Sequence, residues 1–241
     1  MRLRIGAHAL EAQLLPTALM LVLLAALLAL GFWQLARMRE KQALFAMFAA
    51  GTSATVDLVS LRPGSSARYQ HAAVTGRYDS EHQILLDNMT RQGQVGYRVL
   101  TPLRFEAGRT VLVDRGWIPL GESRQKIPDV TVAEAQRRVS GRLDELPRAG
   151  IHLAAEAKPD APWPQVLSYP SMKEVLVAMP QDLYPYILLL DADQSDGFVR
   201  EWQPATFPPQ RHLGYAVTWF AMAAALVIIY VATHWRRGVP Q

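Results

Sequence analysis

A histidine stands at the start of an apolar run near the C-terminus, in a pattern that suits metal coordination. His212, Tyr215 and Trp219 have the spacing i, i+3 and i+7, which places them on one side of a helix. Imidazole suits iron, and a chain without cysteine must use His, Met or Tyr as the ligand. One hypothesis is an axial ligand to haem iron, with the rings packing on the porphyrin and Arg211 near a propionate. The alternative, an interfacial histidine that reaches lipid headgroups, is favoured by position alone.

Other chemistry finds little support in the sequence. The motifs of serine hydrolases, P-loop proteins, zinc proteases and dinucleotide-binding folds are absent. The absence of cysteine excludes disulfides, thiolate metal sites and covalent haem attachment. His71, His82 and His152 lack metal-ligand spacing, and the carboxylates Asp191 and Asp193 lie in a stretch typical of a polar turn. We therefore predict no catalytic residue and a protein that is not an enzyme.

Two charge-free segments are long enough to cross a bilayer. Residues 12–36 would form a helix of about 37 Å, against a hydrocarbon core of about 30 Å, and residues 212–235 are nearly as long. A cleaved signal peptide is the alternative for the first segment, but its apolar part is longer than such peptides use and lacks a cleavage site. A buried core helix is the alternative for the second. The sequence favours two transmembrane helices, the first of which is predicted to continue as helix to residue 50.

The charge distribution predicts the orientation of the chain in the membrane. Of the net charge of +4, the two tails carry +3 and residues 37–211 carry +1. Basic tails are typical of cytoplasmic ends, although Arg37, Arg39 and Lys41 lie just beyond the first segment on the opposite side. A basic excess confined to tails also argues against a nucleic-acid partner. The predicted segments are a cytoplasmic tail, a helix, a periplasmic domain, a second helix and a cytoplasmic tail, at residues 1–11, 12–36, 37–211, 212–235 and 236–241.

Short stretches with strand character follow one another between the two apolar segments. They lie at residues 73–78, 82–86, 97–105, 110–118, 139–143 and 186–190. The third and fourth predict a hairpin, because the four residues between them include a glycine. The predicted fold class is a membrane α+β protein, in which two transmembrane helices flank an antiparallel-strand-rich extramembrane domain.

Single residues sharpen this prediction. Pro102 predicts an edge strand or a bulge, since proline cannot donate to a sheet. Asp87 and Asn88 predict a turn, and Ser171 with Glu174 predicts a capping box at the start of a short helix. In the first apolar segment Gln34 needs a polar partner, which the second segment could supply. The block from Asp114 to Pro119 is interpreted as a strand end with a structural role, and a contact surface is its alternative.

Three blocks of residues resemble the surfeit-locus-one family of membrane proteins. The first is Leu-Gly-Phe-Trp-Gln-Leu at residues 30–35, followed by Arg37. The second comprises Gly-Tyr-Arg-Val-Leu-Thr-Pro-Leu at 96–103 and Val-Leu-Val-Asp-Arg-Gly-Trp-Ile-Pro at 111–119. The third is His-Leu-Gly-Tyr-Ala-Val-Thr-Trp-Phe at 212–220. The resemblance covers nearly the whole chain and is weak at residues 147–178.

The resemblance implies a factor needed to assemble cytochrome c oxidase in the respiratory chain. Such a protein would bind haem a transiently and help to insert it into oxidase subunit I, with haem a synthase as a second partner. His212 matches the family's proposed haem ligand, and the second axial ligand stays open between Tyr215, Met222 and water. The implied location is the bacterial inner membrane, with the chain embedded in the lipid bilayer. The alternative is a scaffold without cofactor that stabilises subunit I during assembly.

Overall fold

The computed structural model describes residues 2–5, 8–11, 13–51, 54–61, 67–124, 126–148, 158–204 and 206–237. The chain divides into two compact units. One contains residues 1–46 and 206–241, and the other contains residues 47–205. His152 and residues 63–66 lie outside the described residues.

The first unit is built on two long helices. Helix α1 spans Leu14–Ala50 and helix α3 spans Pro209–His234. Both are long and apolar enough to cross a membrane, and most of their side chains are not covered by protein. The predicted continuation of the first helix to residue 50 is confirmed. Three short terminal strands accompany the helices and form an antiparallel sheet in the order β1-β2-β11, with β1 at Arg2–Ile5, β2 at His8–Glu11 and β11 at Trp235–Arg237.

The two helices run antiparallel and touch along one face. Gln34 of α1 lies against His212 at one end, and Thr17 lies 2.5 Å from the hydroxyl of Tyr230 at the other. Between these two contacts, the backbone of Gly31 packs closely against the ring of Phe220. A Cβ built on this glycine would lie only 2.5 Å from Cε1 of the ring. Small residues allow such close approach between apolar helices.

Within its described residues, the second unit is an eight-stranded sheet with one short α-helix. The strands are β3 (Thr55–Asp57), β4 (His71–Tyr78), β5 (Ile84–Arg91), β6 (Gln94–Arg104), β7 (Thr110–Pro119), β8 (Gln136–Asp144), β9 (Gln165–Leu167) and β10 (Leu183–Leu190), and the helix α2 is Met172–Ala178. Their order is β3-β4-β8-β10-β7-β6-β5-β9. Five strand pairs are antiparallel. Three are parallel: β10 with β7, β3 with β4, and β5 with β9. The predicted fold class is confirmed.

Apolar side chains cover both faces of this sheet. In β7, Val111 and Val113 belong to one core cluster, while Leu112 belongs to the cluster on the other face. In β10, Leu188 belongs to the first of these clusters and Ile187 to the second. Strands buried on both faces are continuous apolar runs, which is why these segments show no polar alternation. The capping box at Ser171 is confirmed, and helix α2 packs on the second cluster.

Two local predictions are wrong. Asp87 and Asn88 do not end their strand, because β5 runs through them. The pairing of β5 with β6 changes register between Leu86 and Met89, and Asn88, whose φ is positive, lies at this irregularity. Pro102 does not mark an edge strand, because β6 lies between β5 and β7. The carbonyl oxygen of Pro102 accepts a hydrogen bond from the backbone amide of Asp79, on the side away from β7. The nitrogen of a strand residue faces the same side as its carbonyl, so the Pro102 nitrogen also faces away from β7. On that side the pairing with β5 has already ended, at Leu100. The missing N–H therefore breaks no ladder.

Candidate functional site

His212 lies in the first turn of α3 and is half-buried against α1. Its Nδ1 is 2.8 Å from Oε1 of Gln34. A polar amide in an apolar helix is costly unless it is paired, and here the imidazole is its partner. The prediction that the second helix supplies a partner for Gln34 is confirmed. No described residue bonds to the other ring nitrogen, Nε2, of His212.

Neighbouring packing positions this contact. Gly31 lies one turn before Gln34 and faces Phe220, whose ring also makes an edge contact with Phe32 at 5.4 Å between centroids. Ala216, one turn after His212, is buried. The small side chains let the helix backbones approach, and the aromatic contact sets their register. The sequence did not identify Gly31 or Phe220 as parts of the site, although the glycine was visible in an otherwise apolar helix.

The other predicted site residues surround His212 without bonding to it. Trp219 is half-buried, and Tyr215 is 47% exposed. Arg211 stacks over the ring of Phe207, at 4.2 Å from the centroid. Within the described part of the chain, no hydrogen bond or ion pair joins any of the three to the imidazole. Aromatic side chains are also exposed on α1, at Phe32 and Trp33.

The opposite end of α3 carries a second histidine in different surroundings. The ring of His234 stacks on that of Tyr230, with 4.3 Å between centroids. Its Nδ1 lies 2.9 Å from the backbone carbonyl oxygen of Tyr230. The hydroxyl of Thr233 lies 3.0 Å from that nitrogen. These contacts come from the same helical turn. His234 is therefore held locally, whereas His212 is held by another helix.

In the sheet domain, Arg115 occupies the centre of the block from Asp114 to Pro119. It is 2% exposed, and each of its nitrogens has an acceptor. The acceptors are the carbonyl oxygens of Val130, Thr131 and Asp196 and the side chains of Gln83 and Thr101. The guanidinium also lies over Phe198. Burial lowers the pKa of Arg115, but arginine stays protonated in proteins. This residue ties separate loops to the sheet.

The rest of the block supports the same role. Asp114 is fully buried, pairs with Arg98 and accepts from the amide of Gly116 at 3.0 Å. Burial raises the pKa of Asp114, against the opposing effect of the Arg98 charge. Gly116 has a φ of 112°, which favours glycine, and the indole of Trp117 donates to a backbone carbonyl. The structural interpretation of this block fits these contacts.

A cavity of about 530 Å³ lies beside the block and was missed in the sequence. Two arginines on its wall stack over two tryptophans, with Arg91 over Trp117 and Arg98 over Trp202. Both arginines are ion-paired, Arg98 with Asp114 and Arg91 with Glu201. Among the described residues, no group of three or more potential ligands could hold a metal ion. Charges on this wall are therefore matched within the domain.

The two described histidines of the domain are engaged with carboxylates. His71 contacts Asp191 through Nε2 at 2.8 Å and Thr55 through Nδ1. His82 contacts Asp79 through Nδ1 at 2.8 Å. Burial would raise the pKa of Asp79, but its hydrogen bond and charge interaction with His82, together with Arg104, hold this pKa below the usual value. The His71 pair joins β4 to the segment after β10, whereas the His82 pair lies within one short stretch of the chain.

Comparison with known proteins assigns the chain to a family. The sequence profile of the SURF1 family matches residues 21–224. The SURF1-like protein of Rickettsia felis is 28% identical over 225 residues, which cover 91% of this chain and 96% of that protein. The SURF1-like protein of Monosiga brevicollis is 25% identical, over 84% and 81% of the two chains. Surfeit locus protein 1 of Takifugu rubripes is 25% identical, over 88% and 94%. Since the family match covers residues 21–224, which include the sheet domain, Gln34 and His212, the chain belongs to the SURF1 family.

Proposed function

We propose that this protein is an assembly factor for cytochrome c oxidase that binds haem a through His212 and helps to insert it into subunit I. The observation that carries the proposal is the half-buried imidazole of His212, at the end of two apolar helices, with a ring nitrogen that no described residue engages. Neutral imidazole is a common axial ligand of haem iron. The protein is proposed to act as a carrier, not as an enzyme.

The residues around His212 fit a haem. Exposed aromatic rings on both helices offer apolar surface for a macrocycle, and Arg211 offers a cation for its carboxylates. Arg37 lies one turn after Gln34, but its charge is matched by Glu40, at 2.8 Å. When bound, the iron would supply an electrophilic centre that imidazole can coordinate. A single protein ligand without a covalent link suits a cofactor that must be released again.

The proposed location follows from the helices and the charges. Two apolar helices mark a membrane protein. The basic tails favour cytoplasmic ends and a periplasmic sheet domain, in the inner membrane of a bacterium. A haem held next to such helices could pass sideways to subunit I within the bilayer. Haem a synthase is the proposed donor.

The test is an absorbance spectrum of the full chain, purified in mild detergent after co-production with haem a synthase. We expect the parent to carry haem a in a fixed ratio and His212→Ala to lose it. His234→Ala is the matched control, because it removes the other described histidine of α3 and should leave the loading unchanged. If all three proteins carry haem a equally, His212 is not the ligand. If the parent carries none, the scaffold without cofactor becomes the better account.

A further inference from the structure

The atom of Gln34 that faces the imidazole of His212 can only accept a hydrogen bond. The amide oxygen Oε1 is 2.8 Å from Nδ1, a normal distance for an N–H···O bond. Because a carbonyl oxygen has no proton to give, these two atoms form a hydrogen bond only when Nδ1 carries the proton. In neutral imidazole only one nitrogen carries the proton, so the lone pair is then on Nε2.

The contact comes from helix packing and not from the local sequence. Gln34 and His212 are 178 residues apart. Two further contacts hold the same pair of helices in register: Gly31 against Phe220, and Thr17 with Tyr230. His234 differs, since its Nδ1 meets a carbonyl of its own helix. The state of the His212 ring therefore depends on how α1 and α3 pair.

We propose that Gln34 is a positioning residue, which fixes His212 in the Nδ1-protonated tautomer and so makes Nε2 the nitrogen that meets a metal. Residues that bond to the second nitrogen of a ligating histidine commonly set its tautomer and ring orientation. The inference rests on the proposed function for the identity of the ligand. The tautomer itself can be tested without any haem.

The first experiment is NMR of the full chain without haem, labelled with ¹⁵N-histidine, in detergent micelles and weakly alkaline buffer. Two-bond correlations from the ring protons distinguish a protonated from an unprotonated nitrogen, and His212→Asn identifies the His212 signals among the six histidines. We expect protonated Nδ1 and unprotonated Nε2 in the parent. Gln34→Leu should lose this preference, because leucine cannot accept. Gln34→Glu should keep it, since a carboxylate accepts as well.

Gln42→Leu is the matched control, because Gln42 is an exposed glutamine of the same helix. It should leave the His212 signals unchanged. Protonated Nε2 in the parent, or an unchanged tautomer in Gln34→Leu, would overturn the inference.

The second experiment measures haem a affinity by absorbance titration of the same variants. Loss of a group that orients a metal ligand typically lowers affinity 10–100-fold, and we expect a fall of this size for Gln34→Leu, with recovery in Gln34→Glu. Equal affinity in the parent and Gln34→Leu would contradict a positioning role. A tautomer that depends on Gln34, in a parent that binds no haem a, would support the tautomer assignment and refute the proposed function.

Discussion

Arg115 in the sheet domain and His212 between the helices are both polar groups in apolar surroundings, but their bonding differs. Every nitrogen of Arg115 has an acceptor, and the acceptors come from several segments. His212 has one nitrogen bonded to Gln34 and a second without a described partner. A saturated group stabilises the fold, whereas an unsaturated one has capacity left for a ligand. On this comparison the role of Arg115 is structural, whereas the proposed binding site lies in the helix pair.

The largest effect should come from breaking the saturated network. Arg115→Met leaves several buried acceptors without a donor, at about 1–3 kcal/mol for each group that water cannot reach. We expect the free energy of unfolding of the domain to fall by about 3 kcal/mol or more. Urea unfolding of the full chain in detergent, followed by near-UV circular dichroism, would measure it.

Two further variants check the reason for this loss. Arg115→Lys should also be destabilised, because one ammonium group cannot meet acceptors that the planar guanidinium reaches in different directions. Arg138→Met removes an exposed arginine of β8 and should change stability by no more than about 0.5 kcal/mol. Equal losses in Arg115→Met and Arg138→Met would show that the network is not structural.

A disturbance of the helix pair should affect binding more than the domain. Gly31→Leu places a side chain where the Phe220 ring lies, and overpacking typically costs about 1–3 kcal/mol. Separation of the helices should weaken the Gln34–His212 bond and lower haem a affinity about tenfold, as measured by absorbance titration. Gly214→Leu is the control, because a Cβ built there meets no described atom within 4 Å beyond its own helix backbone and its two chain neighbours. The prediction fails if both variants bind like the parent.

A smaller effect is expected from acid. The pKa of Asp79 is held below its usual value, so its carboxylate stabilises the domain above the unfolded pKa of about 3.9. This contribution is lost as the pH falls through the lower, folded pKa. Asp79→Asn should be less stable at neutral pH, on the order of 1 kcal/mol, and should lose less stability on acidification.

Thermal unfolding across the acidic range would test this prediction. Glu122→Gln, which changes an exposed carboxylate, should follow the parent at every pH. An Asp79→Asn curve parallel to that of the parent would argue against the carboxylate as a source of the acid sensitivity.

The smallest effect is predicted for Arg211→Gln. Arg211 is exposed, and an exposed ion pair is typically worth below 1 kcal/mol, which is less than about fivefold in affinity. Haem a titrations at low and high salt should show a modest loss that salt removes. Arg39→Gln, an exposed change on α1, should show none. A loss above tenfold would mean that Arg211 holds the ligand more directly than its stacking on Phe207 indicates.

Part of the fold could be predicted because its causes are local. The length and apolarity of the two helices, the glycine loop between β6 and β7, and the capping box at Ser171 depend on residues close together in the chain. The turn expected at Asp87 failed because strand pairing outweighed a local preference. The prediction from Pro102 failed for a related reason. A proline is tolerated at this position because the pairing of β6 with β5 ends before it, which the local sequence does not show.

The sequence by itself determined two apolar helices, a strand-rich domain between them and a histidine at the start of the second helix. It also showed that Gln34 needed a partner. Only the tertiary structure decided that this partner is Nδ1 of His212, that β7 and β10 pair in parallel, and that Arg115 is saturated by distant loops. The reason is physical: helix length and caps depend on neighbours in the chain, whereas a hydrogen bond across 178 residues depends on the path of the whole backbone.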